Sequence, residues 1–334
     1  MIQPILKTLN RVGINGFLLG LFTAIFLAYL FPFAGSSESP VPWKPITDVG
    51  IALVFFFYGV KLNPDQLKTG LTNWKLHLLI QLCTFLIFPF VVLVLMKFTP
   101  WIEKDFQLGI SYLSTLPSTV SASVVMVSIA GGNLPGAIFN ASISSLIGVV
   151  LTPLWMGIIV DTSQIEMDFL STFGELSLKV LLPVFLGILL HRFLYSSLEK
   201  HLAKLKYLDQ TVIMMIVFTS FSQSFSQEIF SPYSVATLLK VGVTMLGLFF
   251  LIWGIVGVLA RSLGFSLEDR ITALFCGSKK SLVQGVVIGK IIFPDPALFG
   301  LVLLPVMLYH IQQLIAGSAI AGIFARKKLG SQST

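Results

Sequence analysis

Long apolar runs separated by short polar segments dominate the chain. A membrane-spanning helix needs about 20 apolar residues at about 1.5 Å rise each. On that rule ten spans are predicted, over 14–33, 46–62, 74–97, 106–130, 135–160, 174–195, 208–230, 234–262, 269–292 and 297–325. Polar residues interrupt two of them: Ser114-Thr115-Leu116-Pro117-Ser118-Thr119 breaks the fourth, and Cys276-Gly277-Ser278-Lys279-Lys280-Ser281 the ninth. Hydrocarbon tolerates non-helical backbone only where protein buries it or where it lines a wet cavity. Two breaks at matching places in two halves therefore predict a ligand site. The first span follows Lys7 and Arg11 and precedes Ala34-Gly35-Ser36, the outline of a signal peptide. It is too long for the apolar region of one and has a counterpart in the second half, so a retained helix is expected.

The spans repeat. The first begins near Ile14 and the sixth near Gly174, the fifth near Gly136 and the tenth near Ala297, and the breaks fall at Pro117 and Lys279. Each pair is about 160 residues apart, and an odd number of helices per unit makes the second unit enter the membrane from the opposite side. The fold expected is an all-α polytopic membrane protein of ten transmembrane helices. It comprises two inverted five-helix repeats, 1–165 and 166–334, whose broken helices 4 and 9 cross near the midplane.

Composition agrees with a membrane class. Hydrophobic residues make up 55% of the chain, charged residues only 11%, and mean hydropathy is +0.90; a soluble surface carries about 25% charged residues. The net charge of +7 does not point to nucleic acid, because the basic residues fall in short clusters between spans rather than in one stripe. With a cytoplasmic N-terminus, the inner segments hold Lys7, Arg11, Lys61, Lys68, Lys75, Arg192, Lys200, Lys204, Lys206, Arg261, Arg270, Arg326, Lys327 and Lys328. The loop with Asp161, Glu166 and Asp168 has no basic residue. Both termini are expected in the cytoplasm of a bacterium, with the chain in its inner (plasma) membrane.

The breaks carry the candidate chemistry. Pro117 removes a backbone donor, and the hydroxyls of Ser114, Thr115, Ser118, Thr119, Ser121 and Ser123 can replace lost hydrogen bonds. A kink healed by these hydroxyls is the plain reading of span 4 alone; the matching break in span 9 favours a site. Lys279 and Lys280 fall near the centre of span 9, where each lysine costs about 2.5–3.5 kcal/mol to insert. The alternative is that the pair lies at an interface, and one of two adjacent lysines is expected to snorkel or face solvent. All 15 acidic residues lie in loops or at span ends, which argues against a carboxylate proton relay and leaves a midplane lysine to be neutralised by an anionic substrate. Substrate-binding candidates are Lys280, Ser281, His310, Ser118 and Gln313. Gln81, Asn140, Ser144 and Gln312 are further midplane polar residues, and these four, His310 and Gln313 are each equally well explained as a helix-to-helix hydrogen bond. Cys83 and Cys276 have no partner at disulfide or zinc spacing, and no paired carboxylates or serine-base set predicts an enzyme. Neither catalytic residues nor a metal centre are expected.

Leu113 to Thr152, with Pro117, Gly132-Asn133, Ile138-Phe139-Asn140 and Leu151-Thr152-Pro153, resembles the bile acid:sodium symporter superfamily. Phe275-Cys276-Gly277, Lys280-Ser281-Leu282, Lys75-Leu76-His77-Leu78 and Gln81 are similar to its sodium/bile acid cotransporter 7 branch. The resemblance implies a core domain of spans 3–5 and 8–10 and a panel domain of spans 1, 2, 6 and 7. It implies ion-site positions at Gln81, Ser121, Ser123 and Asn140, joined by Ser144, Cys276 and Ser278 around the breaks, and a substrate-cavity histidine at His310. Where sodium-coupled relatives carry a Glu and, four residues on, a Gln, this chain has Cys276 and Lys280. A thiol and an ammonium do not supply the oxygen ligands a hard cation takes. No cofactor is expected, and sodium as the coupling ion is put in question, with the Lys280 ammonium standing where sodium sits in relatives. The expected function is alternating-access transport of a small organic anion, bile-acid-like or steroid-like. The alternative is a non-transporting membrane regulator or sensor on the same scaffold. The sequence does not fix the oligomeric state.

Overall fold

The computed structural model describes residues 16–61, 73–159, 174–175, 177–198 and 201–332, and among these the chain is helical throughout with no strand. Helix α1 covers Gly16–Leu30, α2 Trp43–Lys61 and α3 Trp74–Phe98; α4 and α5 cover Lys104–Thr115 and Ser121–Ala130; α6 covers Leu134–Ile159. The second half holds α7 (Leu182–Leu198), α8 (Leu202–Ser226), α9 (Val235–Ser262), α10 (Leu267–Gly277), α11 (Leu282–Ile292) and α12 (Pro296–Gln332). Among the described residues, seven stretches are long and apolar enough to cross a membrane, α10 and α11 counting as one. The chain is a multi-pass membrane protein.

Some helices outrun their apolar segments. α8 starts at Leu202 rather than 208, and α12 continues to Gln332 rather than 325. Apolarity measures what hydrocarbon covers, whereas backbone hydrogen bonding continues through good helix formers such as Lys204 and Lys206. Lys7, Arg11, Lys68, Lys200, the acidic 161–168 loop and the 165/166 boundary lie outside the described residues.

Two sets of helices pack mainly among themselves. α2 lies on α7, and α8 on α1 and α2. The α2–α7 contact is backbone to backbone: a Cβ at Gly59 would lie 2.2 Å from the Val184 carbonyl oxygen, and one at Gly187 2.1 Å from that of Phe56. Small residues supply such approach in membranes, where apolar burial alone gives helices no reason to associate. The other set comprises α3 to α6, α9, α10 and α12, and α8 bridges to it through α11 and α12. There Ser224 Oγ donates to the Ala297 carbonyl at 2.8 Å. The stretch α10–α11 is the most enclosed: 89% of its apolar window is buried, against 22% for Leu178–Tyr195.

Candidate functional site

Both interruptions follow from local chemistry. α4 ends at Thr115, and Leu116 takes an extended conformation (φ −67°, ψ 151°), the one favoured before a proline. α10 ends at Gly277, and α11 restarts from Ser281, whose extended backbone (φ −83°, ψ 111°) lets its side chain cap Gln284 N–H. The two gaps meet: Ser281 N–H donates to the Pro117 carbonyl at 2.8 Å. A Cβ at position 148 would lie 2.7 Å from the Pro117 ring, so glycine there admits the crossing.

Side chains satisfy most of the backbone groups that the breaks set free. Ser118 Oγ donates to Cys276 O (2.5 Å), Ser123 Oγ to Phe275 O (3.0 Å), Thr152 Oγ1 to Thr115 O (2.8 Å) and Tyr309 OH to Ser278 O (2.6 Å). Ser144 Oγ accepts from Ser118 N–H at 2.9 Å, Thr119 and Ser123 hydroxyls pair at 2.7 Å, and Ser278 Oγ bonds back to Leu274 O at 2.6 Å. In low dielectric each such group left alone would cost about 1–3 kcal/mol.

Lys280 completes the set. Its ammonium, 1% exposed, donates to Thr84 O at 2.7 Å, Ser114 O at 2.6 Å and Leu116 O at 2.7 Å, and sits 4.3 Å from the centre of the Phe88 ring. An ammonium has three donors, and all are engaged. Each carbonyl is available for a physical reason. Ser118 N–H, which would close the helical bond to Ser114, goes to Ser144. Thr84 lies in the π turn Cys83–Ile87, where Phe88 N–H reaches Cys83 O and the next residue, Pro89, has no N–H. The C-terminus of α4 adds the negative end of its dipole.

Lys279 points elsewhere. It is 0% exposed, contacts Met126 Sδ and lies 5.0 Å from the Phe275 ring centre, with no oxygen partner among the described residues. Neither lysine snorkels, contrary to the expectation for one of them, because adjacent side chains diverge and helices enclose both directions. Gln313 clamps the break by accepting from Lys280 N–H at 2.8 Å and donating to Lys280 O at 2.7 Å; its amide nitrogen also lies 2.9 Å from His310 Nδ1.

Gln81 and Asn140 form a second cluster: Gln81 Nε2 donates to Asn140 Oδ1 at 3.1 Å, and Asn140 Nδ2 lies 2.7 Å from His77 Nδ1. Ser121 is exposed at the start of α5, and Cys276 is a buried thiol whose carbonyl, not its sulfur, serves the crossing. The structure thus brings Ser118, Ser123, Ser144, Cys276, Ser278, Lys280, Ser281 and Gln313 to one crossing and sets Gln81 and Asn140 in another. Sequence reasoning missed Thr84, Tyr112, Thr152 and Tyr309; Tyr112 OH donates to Gly285 O at 2.7 Å.

A coordinated alkali cation does not fit these donors. At the crossing three convergent carbonyls are taken by the ammonium, and in the second cluster the orphaned buried oxygen is Gln81 Oε1 alone, where a hard cation takes about six. No group of three His, Cys, Asp or Glu gathers among the described residues.

The model of the SBF-like CPA transporter family matches residues 15–326. A Pseudomonas aeruginosa protein named only as uncharacterized is 37% identical over 315 residues, covering 94% of each chain. The Escherichia coli (strain K12) protein named "Putative symporter YfeH" is 33% identical, and sodium/bile acid cotransporter 7 of Rattus norvegicus 28%, each alignment again covering 94% of both chains. The resemblance drawn from the motifs holds over nearly the full length. Built around two interrupted helices that meet, the chain is a membrane transporter rather than an enzyme and belongs to the SBF-like CPA transporter family.

Proposed function

We propose that the protein is a secondary transporter moving a small organic anion of bile-acid-like or steroid-like class by alternating access, with the Lys280 ammonium as a built-in replacement for a coordinated sodium ion. The observation that carries this reading is the cage of Thr84, Ser114 and Leu116 carbonyls on Lys280 at the point where two interrupted helices meet. It has the ligand type and position of a cation site, with the cation tethered to the chain. Lys279, buried without an oxygen partner, is the ammonium left to a substrate carboxylate or sulfonate, alongside His310, Gln313, Ser281 and Ser118 around the crossing. Lys280 serves the substrate by holding that crossing together.

Ten transmembrane spans in two inverted repeats belong to this reading, supported by helix in the described part of each apolar run and by matching interruptions about 160 residues apart. The α1, α2, α7, α8 set is the panel and the remainder the core, with both termini in the cytoplasm and the chain in the inner membrane. The test is uptake of labelled taurocholate by purified protein in liposomes, with sodium replaced by potassium or choline. Uptake above protein-free liposomes should persist without sodium. Strict dependence on a saturable sodium site would overturn the tethered-cation reading and turn attention to Gln81 and Asn140. Absence of uptake for bile acids and for simpler amphipathic carboxylates would overturn transport of this class.

A further inference from the structure

A cavity of about 560 Å³ opens between the end of α9, the start of α10 and α12. Its wall is largely apolar, with Trp253, Leu274 and Phe324 among its lining residues, and Gly254 has open space where a side chain would stand. Two arginines line it, Arg261 in the last turn of α9 and Arg270 in the first turns of α10. The connection between these helices folds back through Gly264 (φ +71°), a conformation that favours glycine.

Among the described residues neither arginine side chain forms an ion pair, and Arg270 Nε is buried without a hydrogen bond. Two acids precede Arg270 in this turn: Asp269 has both oxygens committed, Oδ2 accepting from Asn73 at 2.9 Å and Oδ1 from Asn133 at 2.8 Å, and Glu268 is exposed with no ion pair among the described residues. The cavity also faces outward. α9 packs on α10 and α12, while Val243, Leu251 and Val258 on the same helix are exposed, Val258 by 68%. On a spanning helix those are lipid-facing positions. The site therefore has an anion-binding rim at a span end and an apolar interior open sideways to acyl chains.

We infer that this cavity is a binding site for an anionic phospholipid, its phosphate held by Arg261 and Arg270 and one acyl chain lying along Gly254 and Gly257 against Trp253. Guanidinium groups match phosphate oxygens in bidentate geometry, and basic pockets between helices at a membrane surface recognise acidic headgroups. The lipid braces α9 against α10, the helix that leads into the crossing.

The test uses the full chain purified in a neutral detergent. Native mass spectrometry and thermal shift are recorded with phosphatidylglycerol, with phosphatidylcholine of the same chains, and with inorganic phosphate. Phosphatidylglycerol should be retained and raise the melting temperature, phosphatidylcholine much less, and phosphate alone not at all. The Arg261→Gln/Arg270→Gln variant should lose at least about five-fold in lipid retention, corresponding to about 1 kcal/mol, while Arg192→Gln, a basic residue elsewhere, should not. Gly257→Trp, which fills the groove and keeps both arginines, should lose retention too; this separates a built site from general attraction to anionic surfaces. Equal retention of the two lipids, unchanged retention in the double variant or in Gly257→Trp, or full effect from phosphate would overturn the inference. Each variant's melting temperature in lipid-free detergent checks folding, and the transport reading stands or falls separately.

Discussion

Replacing Lys280 with alanine tests whether the ammonium works as a tethered cation. The substitution leaves three buried carbonyls, now 2.6–2.7 Å from the ammonium nitrogen, without a donor. Each costs on the order of 1–3 kcal/mol. Against that, the variant no longer buries an ammonium, itself worth several kcal/mol, and removing one partner from a buried charged arrangement typically destabilises by about 3–5 kcal/mol. At roughly 2–4 °C per kcal/mol, the melting temperature of the purified protein should fall by about 6–20 °C. The vacated space faces the same three carbonyls, so methylammonium, with three donors, or an alkali cation whose remaining ligands are waters entering the emptied space should occupy it. Binding at a hundred times its dissociation constant returns about 2.7 kcal/mol, more than half of the loss. The assay is thermal denaturation in sodium, potassium, methylammonium and choline chlorides at equal ionic strength. Lys280→Ala should recover in one or more of the small cations and not in choline. Wild type should respond to none selectively, and Lys280→Met, which fills the space with an apolar chain, should stay low in all. A variant as stable as wild type, or equal recovery in choline, would refute the tethered-cation argument.

Lys280→Arg should also destabilise, by about 1–3 kcal/mol in thermal denaturation, because a planar guanidinium overfills a cage sized for a compact ammonium. Gln313→Leu removes both bonds to the Lys280 backbone and leaves two buried polar groups unpaired. A loss of about 2–6 kcal/mol is expected, read as a lower melting temperature, and an unchanged value would show that the break holds its shape without the clamp. Lys279→Met should leave stability unchanged or raise it by about 1–4 kcal/mol, since a buried charge without an oxygen partner gives way to an apolar chain. The same variant should lose taurocholate uptake; full uptake would exclude Lys279 as the substrate's counter-charge.

Apolar run length and residue chemistry determined much of this protein before any folding was considered. Runs of about 20 apolar residues require helices in lipid, and Pro117 biases Leu116 toward extended backbone, although Phe88 stays helical before Pro89. The interruption from Cys276 to Ser281 and the cost of two midplane lysines were legible for the same reason: each depends on residues within a turn or two. What those lysines touch was not legible. Adjacent residues on a broken helix point in directions that only the packing of α3, α5 and α12 decides, so one ammonium meets three carbonyls and the other a methionine and a phenylalanine. The Thr84 carbonyl is available because a π turn places it ahead of Pro89. The proline is visible in the sequence, but nothing local dictates which hydrogen bonds the turn gives up. The assignment of Gln81 and Asn140 to a cluster apart from the crossing, and the paired arginines facing an apolar cavity, arise between segments distant in sequence. Hydrophobic pattern fixes which residues enter the membrane, while the partners of the few polar groups among them follow from how the helices are placed against one another.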